Sequence, residues 1–121
     1  MRGRKDTDVL FEESQIGYMP EGFEKVEEEI TFSLVYFKYK NSEGDYITIR
    51  VGRDKTALQI DNEEIGKDVY LNAAGYEYTI THKDELYKDV IIWKDENDIY
   101  YYLASTMETT ELVDIMNSIS Y

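Results

Sequence analysis

Four groups of residues in this chain are of types that could do chemistry. The first is His82, the sole histidine, placed on a polar connection. Serine–histidine–aspartate catalysis would have to run through it, yet the chain holds no strained G-x-S-x-G turn to present a nucleophile. His82 therefore reads as an ordinary surface side chain. The second group is Asp95-Glu-Asn-Asp98, with Asp61-Asn-Glu-Glu64 as a weaker copy. A calcium loop needs alternating oxygen ligands, a glycine at its bend and a distal bidentate glutamate, and neither run supplies them. Aspartate and asparagine are also the residues that a tight turn selects for its own hydrogen bonds. No metal site is expected. The third group is any pair of carboxylates set for glycoside hydrolysis. With 26 acidic residues some pair always exists, so abundance alone says nothing. No glycine-rich phosphate loop is present, and no cofactor is expected.

The fourth group is the tyrosines, 12 against four phenylalanines and one tryptophan. Tyrosine suits strands and half-wet surfaces, where the ring packs and the hydroxyl stays hydrated. If Ile99, Tyr101 and Leu103 face a covering helix, Tyr100 and Tyr102 point the other way. Tyr46 falls on the outward register of its strand, and Tyr36 on that of the strand before. These four are the candidate ligand- or partner-binding residues, an exposed tyrosine stripe suited to a peptide, glycan or protein. The competing reading packs the rings on one another or under the N-terminal segment.

Bulk properties narrow the classes of function. At 121 residues the chain holds one core. Thirteen basic against 26 acidic residues give a net charge of −13, which repels a phosphate backbone and an anionic membrane surface alike. Nucleic acid is excluded as a partner, and direct membrane insertion by this chain is not expected, since no apolar run approaches the roughly 18 residues of a span. The basic opening Met1-Arg-Gly-Arg-Lys5 is followed by no apolar h-region and does not read as a signal peptide. There are no cysteines, so disulfides, thiolate metal sites and cysteine nucleophiles fall away together, and the redox compartment is left open.

The elements that would position these residues follow from pattern. Residues 1–14 read as a flexible N-terminal segment that Val9, Leu10 and Phe11 could anchor, and 15–121 as a single domain. Met19-Pro-Glu-Gly22 signals a turn, flanked by short extended pieces at Ile16–Tyr18 and Phe23–Glu28, the latter equally a poor helix. Thr31–Tyr39 reads as a strand, Asn41–Gly44 as a turn, and Asp45–Arg53 as the returning strand, with Ile47, Ile49 and Val51 inward and Val35, Phe37 and Tyr39 opposite them. Asp54–Gly66 is mixed, with one helical turn or a bridging segment around Ala57, Leu58 and Ile60. A hairpin follows across Asn72–Gly75, from Lys67–Leu71 to Tyr76–Thr81. Then His82–Lys88 connects to Asp89–Lys94, apolar on both faces, and across Asp95–Asp98 to Ile99–Ala104. The chain closes on a helix whose Leu112, Ile115, Met116 and Ile119 form one stripe, capped by Thr109 or Thr110, with Glu108 and Glu111 near its positive end. Hairpins imply an antiparallel sheet, and a lone helix must bury its stripe on that sheet. The expected fold is a two-layer α+β domain: a mostly antiparallel sheet, with room for strong curvature, and a C-terminal amphipathic helix on one face.

Several short stretches, in this order and spacing, carry a resemblance: Tyr18-Met-Pro-Glu-Gly-Phe23, Ile91-Ile-Trp93 with its acidic turn, Tyr100 to Leu103, and the helix from Glu111-Leu112 to Ser118-Ile119. From about residue 16 to 120 the chain resembles a bacterial family known as domain of unknown function 4367. Its members look like extracytoplasmic portions of membrane-anchored proteins, some similar to anti-sigma factors and some to sporulation lipoproteins. The resemblance brings no catalytic residues. It implies the extracytoplasmic side of a bacterial membrane, behind a transmembrane helix or lipid anchor that this sequence does not contain; a cytoplasmic location is the alternative. The expectation is a non-catalytic binding or sensing domain that engages a protein or envelope ligand through its tyrosine-rich sheet face. An acid-pair hydrolase of envelope polysaccharide and a structural or dimerisation module are the alternatives, and the oligomeric state is left open.

Overall fold

A computed structural model describes residues 10–54, 68–81 and 89–121. Seven strands form one sheet: β1 (Glu24–Ile30), β2 (Leu34–Lys40), β3 (Tyr46–Gly52), β4 (Val69–Leu71), β5 (Glu77–Thr81), β6 (Asp89–Lys94) and β7 (Tyr100–Ser105). The strand order is β1-β2-β3-β7-β6-β5-β4, and every neighbouring pair is antiparallel. The sheet is open, with β1 and β4 as its edges. Among the described residues one α-helix, α1 (Thr109–Asn117), packs across β7 and β6. This is the expected α+β architecture, antiparallel sheet and C-terminal helix together.

Three of the hairpin turns share one chemical plan. In each, an asparagine or aspartate closes the strand and its Oδ1 accepts from two backbone amides, two and four residues on. Asn41 accepts from Glu43 (3.0 Å) and Asp45 (2.9 Å), Asn72 from Ala74 (3.0 Å) and Tyr76 (2.9 Å), Asp95 from Asn97 (2.8 Å) and Ile99 (3.1 Å). The fourth residue of each turn has a positive φ: 92° at Gly44, 89° at Gly75 and 65° at Asp98. Glycine takes that conformation without strain, whereas Asp98 adopts it at some cost.

The helix-side core is built from the strand positions that alternation predicts. Val35, Phe37, Tyr39, Ile47, Ile49, Val51, Ile91, Trp93, Tyr101 and Leu103 meet the Leu112, Ile115, Met116 and Ile119 stripe. Tyr78 and Ile80, from one side of β5, and Tyr76 just ahead of that strand pack against the margin of this core. β6 is buried on both faces, as its doubly apolar sequence requires: Ile91 and Trp93 belong to this core, while Val90 and Ile92 join Tyr102 and Ala104 in a second cluster opposite.

The segment from Phe11 to Gly17 is fastened to this frame. Phe11 is fully buried between Phe37 and Tyr101. Glu13–Gln15 form a 3-10 turn, Ile16 bridges Ile119, and the Gly17 amide donates to the Ser118 carbonyl at 3.1 Å. A Cβ at Gly17 would sit 2.7 Å from that carbonyl oxygen, so the two segments can approach only because residue 17 has no side chain.

Several boundaries differ from the expected ones. Thr31 does not begin β2: Thr31–Leu34 is a tight turn, with the Thr31 amide donating to the Leu34 carbonyl at 2.8 Å and the Leu34 amide to Thr31 Oγ1 at 3.0 Å. Phe23–Glu28, expected as a short extended piece or a poor helix, leads into a full edge strand, Glu24–Ile30. The helix cap is Glu108 with no side-chain cap bond, so neither Thr109 nor Thr110 serves; both already lie inside the helix. The described strand β4 starts at Val69, two residues into the expected Lys67–Leu71. His82, Asp61–Glu64 and the Ala57–Ile60 turn lie outside the described residues.

Candidate functional site

Because side chains alternate across a strand, the registers place Tyr36, Tyr46, Tyr100 and Tyr102 on the face away from α1. One row runs straight across the sheet, from Glu29 to Tyr36, Arg50, Tyr102 and Ile92. Tyr46 lies opposite Lys40, and Tyr100 opposite Lys94. Lys38, Lys40, Arg50 and Lys94 share this face, and three of them sit over tyrosine rings. Arg50 Cζ is 4.7 Å from the centre of the Tyr102 ring, Lys38 Nζ is 4.9 Å from that of Tyr46, and Lys94 Nζ is 5.7 Å from that of Tyr100. Such cation–ring contacts hold flexible basic side chains flat on the sheet.

Depth divides the four tyrosines. Tyr36, Tyr46 and Tyr100 are half-buried. Tyr102 is only 5% exposed and belongs to the second apolar cluster with Val90, Ile92 and Ala104. The expected exposed stripe is therefore three half-buried rings and a buried fourth. Tyr102 supports the site from below, under Arg50, and presents little surface to a ligand. The basic partners were not anticipated from sequence. Their signal was available: Lys38, Arg50 and Lys94 lie on the same alternation as the tyrosines.

Electrostatically the face is mixed. Lys38 Nζ is 3.9 Å from Glu27 Oε2, the Tyr36 hydroxyl donates to Glu27 Oε1 at 3.4 Å, and Lys94 Nζ is 3.3 Å from Asp98 Oδ1. These exposed pairs contribute little to stability. They do leave both donors and acceptors along the rows of rings.

Of the other chemical candidates, the described one, the Asp95–Asp98 turn, is used structurally. Asp95 is 8% exposed, and besides holding its turn it accepts the Tyr101 hydroxyl at 2.8 Å. Tyr101 stacks on Trp93 with centroids 5.0 Å apart and planes at 5°, and Tyr121 closes the group edge-on, its hydroxyl accepting from Trp93 Nε1 at 2.7 Å. A depression of about 300 Å³ is lined by Asp45, Thr106, Met107, Glu108, Thr110 and Glu111. Asp45 Oδ1 there accepts from Thr106 Oγ1 at 3.0 Å, and among the described residues no aromatic ring lines the hollow. No cluster of three or more metal-ligating side chains occurs among the described residues.

Three hydrogen-bonded tyrosine hydroxyls, those of Tyr39, Tyr101 and Tyr121, give a pH signature with a definite sign. Burial, reinforced by the Asp95 hydrogen bond, pushes the Tyr101 phenol well above its ordinary range. Burial and then the Glu13 carboxylate do the same to Tyr39, and burial raises Tyr121 to about 12. The fold favours the neutral phenol in each case, so the stability these groups lend is complete below the ordinary tyrosine value of ~10 and is lost as pH climbs past it. For Tyr121 the loss runs from ~10 to about 12. An absorbance titration near 295 nm should therefore show a late ionising class that appears together with loss of the Trp93 near-ultraviolet circular dichroism. A single wave near ~10 with the fold intact would contradict this placement of Tyr39, Tyr101 and Tyr121.

Among the described residues, an open antiparallel sheet with one helix on one face and a tyrosine-and-cation array on the other defines a small α+β domain. Among the described residues no helix is long and apolar enough to cross a membrane. The family model for a domain of unknown function, DUF4367, matches residues 13–119, and the chain belongs to that family. No curated protein and no solved structure matches it.

Proposed function

We propose that this chain is a non-catalytic binding or sensing domain of a bacterial envelope protein, on the extracytoplasmic side of the membrane, engaging a protein or envelope ligand through the sheet face opposite α1. The observation that carries this is the array of Tyr36, Tyr46 and Tyr100 interleaved with Lys38, Arg50 and Lys94. Half-buried tyrosines supply contact area at low entropic cost, because each has two rotatable angles and is already held. Basic side chains lying on neighbouring rings have lost most of their freedom before a ligand arrives, which lowers the cost of binding. The envelope location is supported by the resemblance to extracytoplasmic portions of membrane-anchored proteins.

The test is a titration of isotopically labelled protein with soluble peptidoglycan fragments and, separately, with acidic and neutral peptides, followed by amide shifts. Binding should move Tyr36, Lys38, Tyr46 and Arg50. The Tyr36→Ser/Tyr46→Ser variant should fold normally and bind about tenfold or more weakly, as expected when central aromatic anchors are truncated. Shifts confined to the helix side, or an unchanged affinity in the double variant, would remove this face from consideration.

A further inference from the structure

At the opposite side of the sheet from β4, the edge strand β1 has all seven of its residues, Glu24–Ile30, exposed. It pairs with β2 along one side and projects beyond the core. We infer that the free edge of β1 is a docking site for an extended cationic segment of another protein, which adds to the sheet as an eighth strand.

Among the described residues no strand pairs with the outer side of β1, which leaves its backbone available for this. The Thr31 amide donates to the Leu34 carbonyl at the hairpin end, so Thr31 faces β2. Bonding direction alternates along an antiparallel strand, and Ile30 and Glu28, paired with Val35 and Phe37, turn their N–H and C=O groups to the open side. Strand addition on such an edge draws affinity from main-chain hydrogen bonds and specificity from alternate side chains.

The side chains indicate which segment fits. β1 carries Glu24, Glu27, Glu28 and Glu29 against a single lysine. Lys25 is already committed to Glu13 and Glu28. Apolar surface lies between the acids, at Val26 (50% exposed), Ile30 (47%) and, in the adjoining turn, Phe32 (72%). An incoming strand that alternates Lys or Arg with aliphatic residues would set its charges on the glutamates and its apolar side on Val26 and Ile30. A second copy is disfavoured, because two β1 edges would place glutamates against glutamates, a device by which edge strands resist self-pairing. The irregularity between Lys25 and Glu27 works in the same direction, bending the edge and leaving Glu27–Ile30 as its regular part.

The probe is an acetylated nine-residue peptide alternating lysine and valine. Its control has the same side chains with every backbone amide N-methylated, which keeps the charge and leaves no main-chain donor to pair with the edge. The expected result is saturable binding of the first peptide alone, with the Glu28 and Ile30 amides shifted and protected from exchange. Ile30→Pro removes one outward donor and no bond to β2; it should weaken binding about tenfold, as should Glu27→Gln/Glu29→Gln. Amide mapping on the unaltered protein decides the matter even if the proline variant folds poorly. Equal binding of both peptides, unperturbed Glu28 and Ile30 amides, or a self-dimer abolished by Ile30→Pro would each overturn the inference.

Discussion

Phe11→Ala is expected to destabilise the domain by about 3–5 kcal/mol, the usual cost of truncating a fully buried phenylalanine. Phe11 lies two residues ahead of the stretch that the family model matches, 13–119. Its position in the sequence therefore suggests a dispensable tail, and its surroundings argue the reverse. It is 0% exposed, edge-on to Tyr101 with centroids 6.0 Å apart and tilted against Phe37 at 6.4 Å. Those two rings belong to β7 and β2, which β3 separates in the sheet. Phe11 thus spans three strands from one side, beside the space that α1 fills. Alanine would leave a cavity that three strands and a helix cannot all close. Against a total stability of about 5–15 kcal/mol for an ordinary domain, that is a large fraction. Urea denaturation followed by Trp93 fluorescence is the measurement, since Trp93 stacks on the Tyr101 that Phe11 touches. Phe11→Leu should cost less than about 1.5 kcal/mol. A loss below about 1 kcal/mol for alanine would mean that Phe11 is not packed as described.

What the sequence disclosed and withheld divides along the same line between local and tertiary causes. The turns at Asn41, Asn72 and Asp95 were legible because an Asx-turn is written in its own few residues. The inward positions of β2, β3, β6 and β7 were legible from alternation, and the helix stripe from its 3.6-residue period. β1 was not. Its EKVEEEI sequence has no apolar face because both faces are exposed, and it is a strand chiefly because β2 lies beside it. Thr31-Phe-Ser looks like strand by composition, and only the Thr31–Leu34 hydrogen bonds make it a turn. Nor could pattern place β3 beside β7, a pairing between segments some fifty residues apart. At the candidate site the same limit recurs. Parity put Tyr100 and Tyr102 on the far face correctly, but the burial of Tyr102 depends on Val90, Ile92 and Arg50, which come from neighbouring strands.

Asp95→Ala is expected to be the second severe substitution, and it distinguishes a structural carboxylate from a metal-binding one. In Asn41 and Asn72 the side-chain oxygen does one job, accepting the two turn amides. Asp95 does this with Oδ1 and adds another with Oδ2, accepting the Tyr101 hydroxyl at 2.8 Å. Removing it leaves that buried hydroxyl without its acceptor, about 1–3 kcal/mol, and loosens a turn whose lost bonds are worth roughly 1 kcal/mol more. The expected total is about 2–4 kcal/mol, read from the denaturation midpoint at constant m. Asp95→Asn should recover most of it, since Oδ1 is retained and the tyrosine hydroxyl can accept from the new amide as readily as it donated to the carboxylate. Asp98→Gly should raise stability, by about 1 kcal/mol, because it relieves the φ of 65° that the aspartate adopts. A calcium site would behave oppositely in two respects: Asp95→Asn and Asp98→Gly would both abolish a calcium-dependent rise in Tm. If stability instead proves calcium-dependent and both variants lose that dependence, the Asp95–Asp98 turn is a ligand loop and the Tyr101 contact is incidental to it.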